Sequence, residues 1–294
     1  MSDGSFAFVS LKAFGDLVIA RWALQRLTPS ASIRVRLLLG AHLVQLNTAL
    51  GDRPGTLVIE HGGTSVPPFF EMRQCGPGPA LRSGLVLRSA IGRACLPDET
   101  TLVFDRIGVR ERLLAIGRHH TALPSTSSNI YLAYEEFLRP FGLVNEPTSL
   151  VITTADEPSA SYVGIFPDSR IGNKRIPGTA VTALARLCID SGVPYRIFLL
   201  EGEPSDLSSS TMNVTKVPRQ FSLMANAVRA ARVVISADSM PAHMAEYFGV
   251  PVFVMSPSPN AYWLPKSCID SGRWSLFSDP VATTEGLARF VVDR

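Results

Sequence analysis

The stretch ISADSMPAHMAEYFGVPVFVMSPSP, residues 235–259, gathers a carboxylate, a hydroxyl, a proline and an imidazole around a helix start between two apolar runs. Pro241 suits the first turn of a helix. Main-chain N–H groups near Ser239 and Met240, with the Ser239 hydroxyl, form the kind of cradle that grips phosphate oxygens. Asp238 and His243 flank it, although Asp-Ser is also an adequate cap and a histidine there also serves structure. Residues 165–178, IFPDSRIGNKRIPG, place Lys174 and Arg175 just before another helix. Cations are disfavoured at that end of the dipole, so their placement fits a diphosphate held between them. In SLKAFGDLVIA, residues 10–20, Gly15 is expected to turn the chain and Asp16 to sit at a helix N-terminus. Asp16 reads either as an N-cap, worth about 1 kcal/mol, or as a general base, worth about 10²–10⁴ in rate. In FLLEGEPSD, residues 198–206, Glu201 and Glu203 read as ribose-binding acids or as exposed loop carboxylates.

The elements that must position these loops alternate in type. Strands are expected at 6–11, 33–39, 56–60, 100–104, 162–166, 195–200, 213–217, 233–236 and 252–255. Helices are expected at 16–27, 42–50, 81–95, 109–118, 131–141, 179–190, 222–231, 241–248 and 283–292, with Gly142 as a cap. Alternation of this kind predicts parallel sheets covered on both faces. The polar, proline-interrupted segment from Asn145 to Ser161 reads as a linker. It divides an N-terminal domain, 1–148, from a C-terminal domain, 162–294, with 149–161 between them. A cleft is expected between the two, where ligands of such folds bind.

Composition narrows the classes. With 294 residues and 46% hydrophobic content the chain reads as a soluble globular protein. No apolar run reaches the roughly 18 residues of a membrane span. The opening residues lack the pattern of a secretory signal, and four widely spaced cysteines fit a reducing, cytoplasmic setting without a metal centre. Net charge is +3, yet between Arg73 and Arg118 eight arginines stand against four acids. That stretch reads as a solvated surface or as one for an anionic partner, a membrane surface included. Without interleaved aromatics it does not read as a nucleic-acid site.

In this order, the loops resemble glycosyltransferase family 9, which includes the lipopolysaccharide heptosyltransferases. The resemblance rests on Gly-Asp near the N-terminus, the Lys-Arg loop after the linker, and Asp-Ser-x-Pro-x-His before Gly-Val-Pro-Val. The helix YLAYEEFLRPFGL adds to it. It implies an α/β fold of GT-B type, two Rossmann-like domains with the acceptor in the first and a nucleotide-sugar donor in the second. It also implies roles: Asp16 as catalytic base, Lys174 on donor phosphate and sugar, Ser239 and Met240 on the diphosphate through N–H groups, Asp238 and His243 beside the donor, and Glu203 (or Glu201) on ribose. No metal and no other cofactor is implied. Two departures stand out: Met240 replaces a glycine, and Phe166-Pro167-Asp168 replaces His-Pro-Gly.

The leading expectation is therefore an inverting transfer of a sugar, heptose from ADP-heptose, to an anionic glycan or lipid-linked acceptor. It would act in the cytoplasm or at the inner face of the membrane. A nucleotide-sugar epimerase and a non-catalytic nucleotide-sugar-binding protein are the alternatives on the same scaffold.

Overall fold

The computed structural model describes residues 5–63, 65–94, 96–97, 99–142, 162–202, 207 and 213–292. The chain divides into two compact units, Met1–Pro147 and Thr148–Arg294.

The first unit is built on a five-stranded sheet of β1 (Phe6–Ser10), β2 (Val35–Gly40), β3 (Thr56–Ile59), β4 (Thr101–Phe104) and β5 (His120–Ala122). Every neighbour is parallel and the order is β3-β2-β1-β4-β5. Its helices are α1 (Phe14–Leu24), α2 (Pro29–Arg34), α3 (Val44–Ala49), α4 (Met72–Cys75), α5 (Pro77–Arg93), α6 (Val109–Leu114) and α7 (Ile130–Leu138). On one face of the sheet, Ala7, Leu38, Ile59, Leu102 and Phe104 pack with Leu87 and Ile91 of α5 and Leu114 of α6. Residues of opposite parity face the other side, where Phe8 stacks on Tyr134 of α7 and Trp22 of α1 meets Tyr131 edge-on.

The second unit has six parallel strands, β6 (Val163–Phe166), β7 (Tyr195–Leu200), β8 (Val214–Val217), β9 (Val233–Ala237), β10 (Val252–Ser256) and β11 (Trp274–Leu276). Their order is β11-β10-β9-β6-β7-β8. The helices are α8 (Gly178–Asp190), α9 (Phe221–Arg229), α10 (Met240–Phe248), α11 (Lys266–Ser271) and α12 (Pro280–Val292). The central strands β6, β9 and β10 are buried along their whole length, which is why they read as continuous apolar runs. Val181, Leu184 and Ala185 of α8 and Leu287 and Phe290 of α12 cover one face of this sheet.

Several expected boundaries move for local reasons. The expected strand at 33–39 starts at Val35, because Pro29 opens α2 and the Thr28 hydroxyl caps it by accepting the Ala31 N–H at 3.3 Å. Ile33, the first residue of the expected strand, is 80% exposed on that helix. Strands β5 and β11 and helices α4 and α11 were not expected. The expected helix 131–141 stops at Leu138, a 3₁₀ turn follows, and Gly142 caps it with φ +95°. Gly15 does not turn the chain, since it lies inside α1.

Helix α5 approaches its neighbours through Gly84. A Cβ there would lie 2.5 Å from the ring of buried Phe69, whereas one at Gly92 of the same helix meets nothing within 4 Å. Overpacking of this kind costs about 1–3 kcal/mol, against a helix-propensity gain of up to about 1 kcal/mol. Gly84→Ala is expected to destabilise the chain by about 1 kcal/mol, and Gly92→Ala to be neutral or stabilising. Urea denaturation of both variants beside the parent checks the pair, and equal effects would remove the close-approach explanation.

Candidate functional site

In the second unit the chain moves from β6 outward through β7 and β8, then returns beside β6 to lay down β9, β10 and β11 on the other side. The order thus reverses between β6 and β9, and the crevice beyond the carboxyl ends at such a reversal is where ligands of open α/β sheets bind. The loops that leave these two strands are the ones whose side chains drew attention in the sequence.

Beyond β6, Pro167, Asp168 and Ser169 lead into a self-bonded loop. The Arg175 guanidinium donates through Nε to the Ser169 carbonyl at 3.0 Å, the Ile171 N–H bonds the Ser169 hydroxyl at 3.3 Å, and the Ile176 N–H returns to Pro167 at 3.0 Å. A 3₁₀ turn at Gly172–Lys174 presents Lys174 before α8 begins at Gly178. Beyond β9, Asp238 and Ser239 precede α10, with Ser239 in the cap position and Pro241 in its first turn.

Two bonds cross the reversal point. The Lys174 ammonium lies 2.6 Å from Asp238 Oδ2, with the two side chains 32% and 11% exposed. The Ser239 hydroxyl donates to the Asp168 carbonyl at 3.1 Å instead of capping α10. Lys174 therefore answers to an aspartate of the neighbouring loop, where the spacing alone suggested an anion between cations. Asp168, one of the two departures, directs its carboxylate to the main chain: Oδ2 accepts the Leu200 N–H at 2.7 Å, at the end of β7. Met240 is the first helical residue of α10 and half-buried, so its backbone holds the ordinary right-handed conformation that a side chain tolerates.

His243, in the first turn of α10, is buried. Burial pushes its pKa down to about 4, Lys174 adds to that, and Asp238 opposes it. The ring is therefore neutral near pH 7 and lies in the field of both members of the ion pair. Glu201 is exposed just past β7, and Glu203 lies outside the described residues.

The corresponding reversal in the first unit falls between β1 and β4. Asp16 is half-buried as the third residue of α1, where the cap position belongs to Ala13. The N-cap alternative for Asp16 is thus set aside, while the helix dipole still favours its ionised form. At the carboxyl ends of the strands of this sheet stand groups that sequence reading did not find. His42 Nε2 lies 3.4 Å from the Lys12 carbonyl and its Nδ1 lies 3.1 Å from His61 Nε2. A carbonyl can only accept, so Nε2 of His42 carries the proton. Its neutral Nδ1 then accepts from His61. Burial brings the His42 pKa down to about 4. At the end of β4, the Tyr134 hydroxyl donates to Asp105 Oδ1 at 2.7 Å, and burial raises the Asp105 pKa.

No protein-family model matches this chain, and no curated protein sequence does. Solved structures do resemble it. The heptosyltransferase WaaC of E. coli with ADP-2-deoxy-2-fluoro heptose aligns with a TM-score of 0.65 at 14% identity, covering 98% of this chain and 99% of that one. WaaC with ADP gives 0.64 at 13% identity, over 92% of each chain. A family 9 glycosyltransferase from Veillonella parvula gives 0.63 at 14%, covering 94% and 86%. At these identities the likeness establishes the fold: the chain has the GT-B architecture, heptosyltransferase-like, with two parallel α/β units.

The buried imidazole of His243 sets a pH dependence. The unfolded chain takes up a proton there near pH 6.5, the folded chain only near pH 4. Stability is whole above pH 6.5 and falls as pH drops from 6.5 to 4, by on the order of 3 kcal/mol. His243→Gln is expected to lessen that slope, the remainder coming from His42, whose pKa burial also lowers to about 4. Denaturation midpoints measured at pH 7, 5.5 and 4.5 for both proteins check it, and parallel slopes would show that His243 is not the titrating group.

Proposed function

We propose that the chain is an inverting glycosyltransferase whose donor is a nucleoside-diphosphate sugar, ADP-heptose being the leading candidate, and whose acceptor is an anionic glycan or lipid-linked saccharide. The observation that carries this reading is the convergence of Lys174, Asp238, Ser239 and the start of α10 at the β6/β9 reversal. A fold likeness to proteins described with ADP and an ADP-heptose analogue supports it.

In the reaction, Asp16 accepts the proton of the acceptor hydroxyl as its oxygen attacks the anomeric carbon. The bond from that carbon to the diphosphate breaks on the opposite side, so configuration inverts, and the nucleoside diphosphate leaves with the electron pair. Lys174 and the N–H groups of Ser239 and Met240 at the start of α10 stabilise the charge that develops on it, while the Ser239 hydroxyl holds the two loops together. His243, neutral and buried, holds the floor of the site without adding charge. Asp238 keeps the Lys174 ammonium in place until the diphosphate takes it over. Glu203 remains the proposed ribose partner.

A non-catalytic nucleotide-sugar-binding protein is the second reading, favoured by the direct contact of Lys174 with Asp238, which already neutralises the lysine. Thermal unfolding against ADP, UDP, GDP, CDP and their sugar conjugates tests the donor site. A ligand at about 100 times its dissociation constant adds roughly 2.7 kcal/mol. The expected result is a shift selective for one nucleotide that Lys174→Ala loses. Absence of any shift would reject the donor site. Transfer assays then separate the two readings. Asp16→Asn is expected to lower transfer by about 10²–10⁴ while leaving the nucleotide shift intact, and near-normal transfer in that variant would reject Asp16 as base. A parent chain that binds the nucleotide sugar yet transfers to no acceptor would favour the second reading.

A further inference from the structure

Helix α5 carries apolar side chains on its outward face as well as on its inner one, there mixed with arginines. Ala80, Gly84, Leu87 and Ile91 form the inner line against Phe69 and the sheet. Outward, Leu81 and Leu85, one turn apart, are 63% and 58% exposed. Between and beside them Arg82, Arg88 and Arg93 reach solvent, and the helix carries no acid. The neighbouring α6 and the residues after it add exposed Leu113 and Ile116, with Arg112 and Arg118. A groove of about 350 Å³ runs between the two, lined by Leu85, Arg88, Ile91, Leu114, Ile116 and Arg118. Arg118 is held beside α5 by a bond from its guanidinium to the Gly92 carbonyl at 3.3 Å. The acid of α6, Glu111, gives its carboxylate to the Gly108 N–H at 2.8 Å, where it caps the helix.

We propose that the outer face of α5 and α6 docks on an anionic lipid bilayer. Single exposed leucines are ordinary on a protein surface. Here they recur on one helical line and across a groove, interleaved with arginines whose apolar stems can lie along lipid while their heads reach headgroup phosphates. A helix lying in the membrane interface has this composition. The one-signed charge of α5 selects an anionic surface over a folded partner of mixed charge, which would meet arginines with acids at particular points only. Among the described residues no helix is long and apolar enough to cross a membrane, so the contact is peripheral. The contact buries few apolar side chains and is therefore weak, reversible and sensitive to salt. This deepens the lipid-linked acceptor reading and rests on it for its purpose, since a membrane-bound face on this unit brings the enzyme to its acceptor.

The test is co-sedimentation of the full chain with vesicles of phosphatidylcholine alone or mixed with phosphatidylglycerol, with no nucleotide sugar present, so that docking and sugar transfer fail independently. Binding is expected only to the phosphatidylglycerol vesicles and is expected to fall with added salt. Arg82→Glu, Arg88→Glu and Arg93→Glu together should lower it at least about tenfold. Leu81→Ser with Leu85→Ser should lower it by roughly fivefold. Circular dichroism of both variants confirms that they fold, and the comparison of vesicle compositions needs no variant at all. Equal binding to both vesicle types, or undiminished binding by the arginine variant, would overturn the proposal. So would a parent chain that self-associates through this face and ignores vesicles.

Discussion

Every strand pair in both sheets is parallel, and that constraint organises everything else in the molecule. A parallel neighbour can be reached only by a crossover, so each strand must end on the same edge of its sheet and each connection must return over a face. Polar loops therefore collect along one edge of each unit, while the faces must be covered by helices and the inner strands become apolar throughout. Reversal of strand order then opens a crevice at one place on that edge. In the second unit the place falls between β6 and β9, which is where a lysine, two aspartates, a serine and a histidine meet.

The electrostatics of that place are conservative. The charges are paired or bonded to main chain: Lys174 with Asp238, and Asp168 with the end of β7. Burial keeps His243 neutral. Holding Lys174 against an aspartate fixes a long side chain in advance, which lowers the ordering cost when another anion replaces that partner. Under the proposed reading a diphosphate exchanges one anion for another at a lysine already in position, with the Ser239 hydroxyl tying the two loops together.

How much of this was legible in the sequence depends on whether the signal is local. Strand β7 matches its expected bounds, and β6, α8 and α10 differ by one residue at the start, because each is an apolar or amphipathic run bounded by turn residues. Strands β5 and β11 are three residues long and lie at sheet edges; they exist through bonds to one neighbour, which no local pattern announces. Helix α2 did carry a signal, Thr28-Pro29, that the apolar run behind it outweighed. The residues at the β6/β9 reversal were found because cap, proline and histidine lie within one turn. His42 with His61, and Asp105 with Tyr134, escaped because each pair is joined by folding across a long stretch of chain. The direction of the Asp168 carboxylate was equally invisible, since its partner, the Leu200 N–H, belongs to the neighbouring strand.

Gly84 shows how such distant relations reach the surface. Its missing side chain lets α5 settle onto the ring of Phe69, and that ring sits in the core beneath the sheet face. The height at which Leu81, Leu85 and the three arginines stand above the body of the unit is therefore set by an aromatic ring and a bare backbone, neither of which is on the surface. A family of related chains could raise, lower or tilt that face by exchanging size between these two positions while leaving every outward residue unchanged. The geometry of the exterior would then be inherited through an interior spacer.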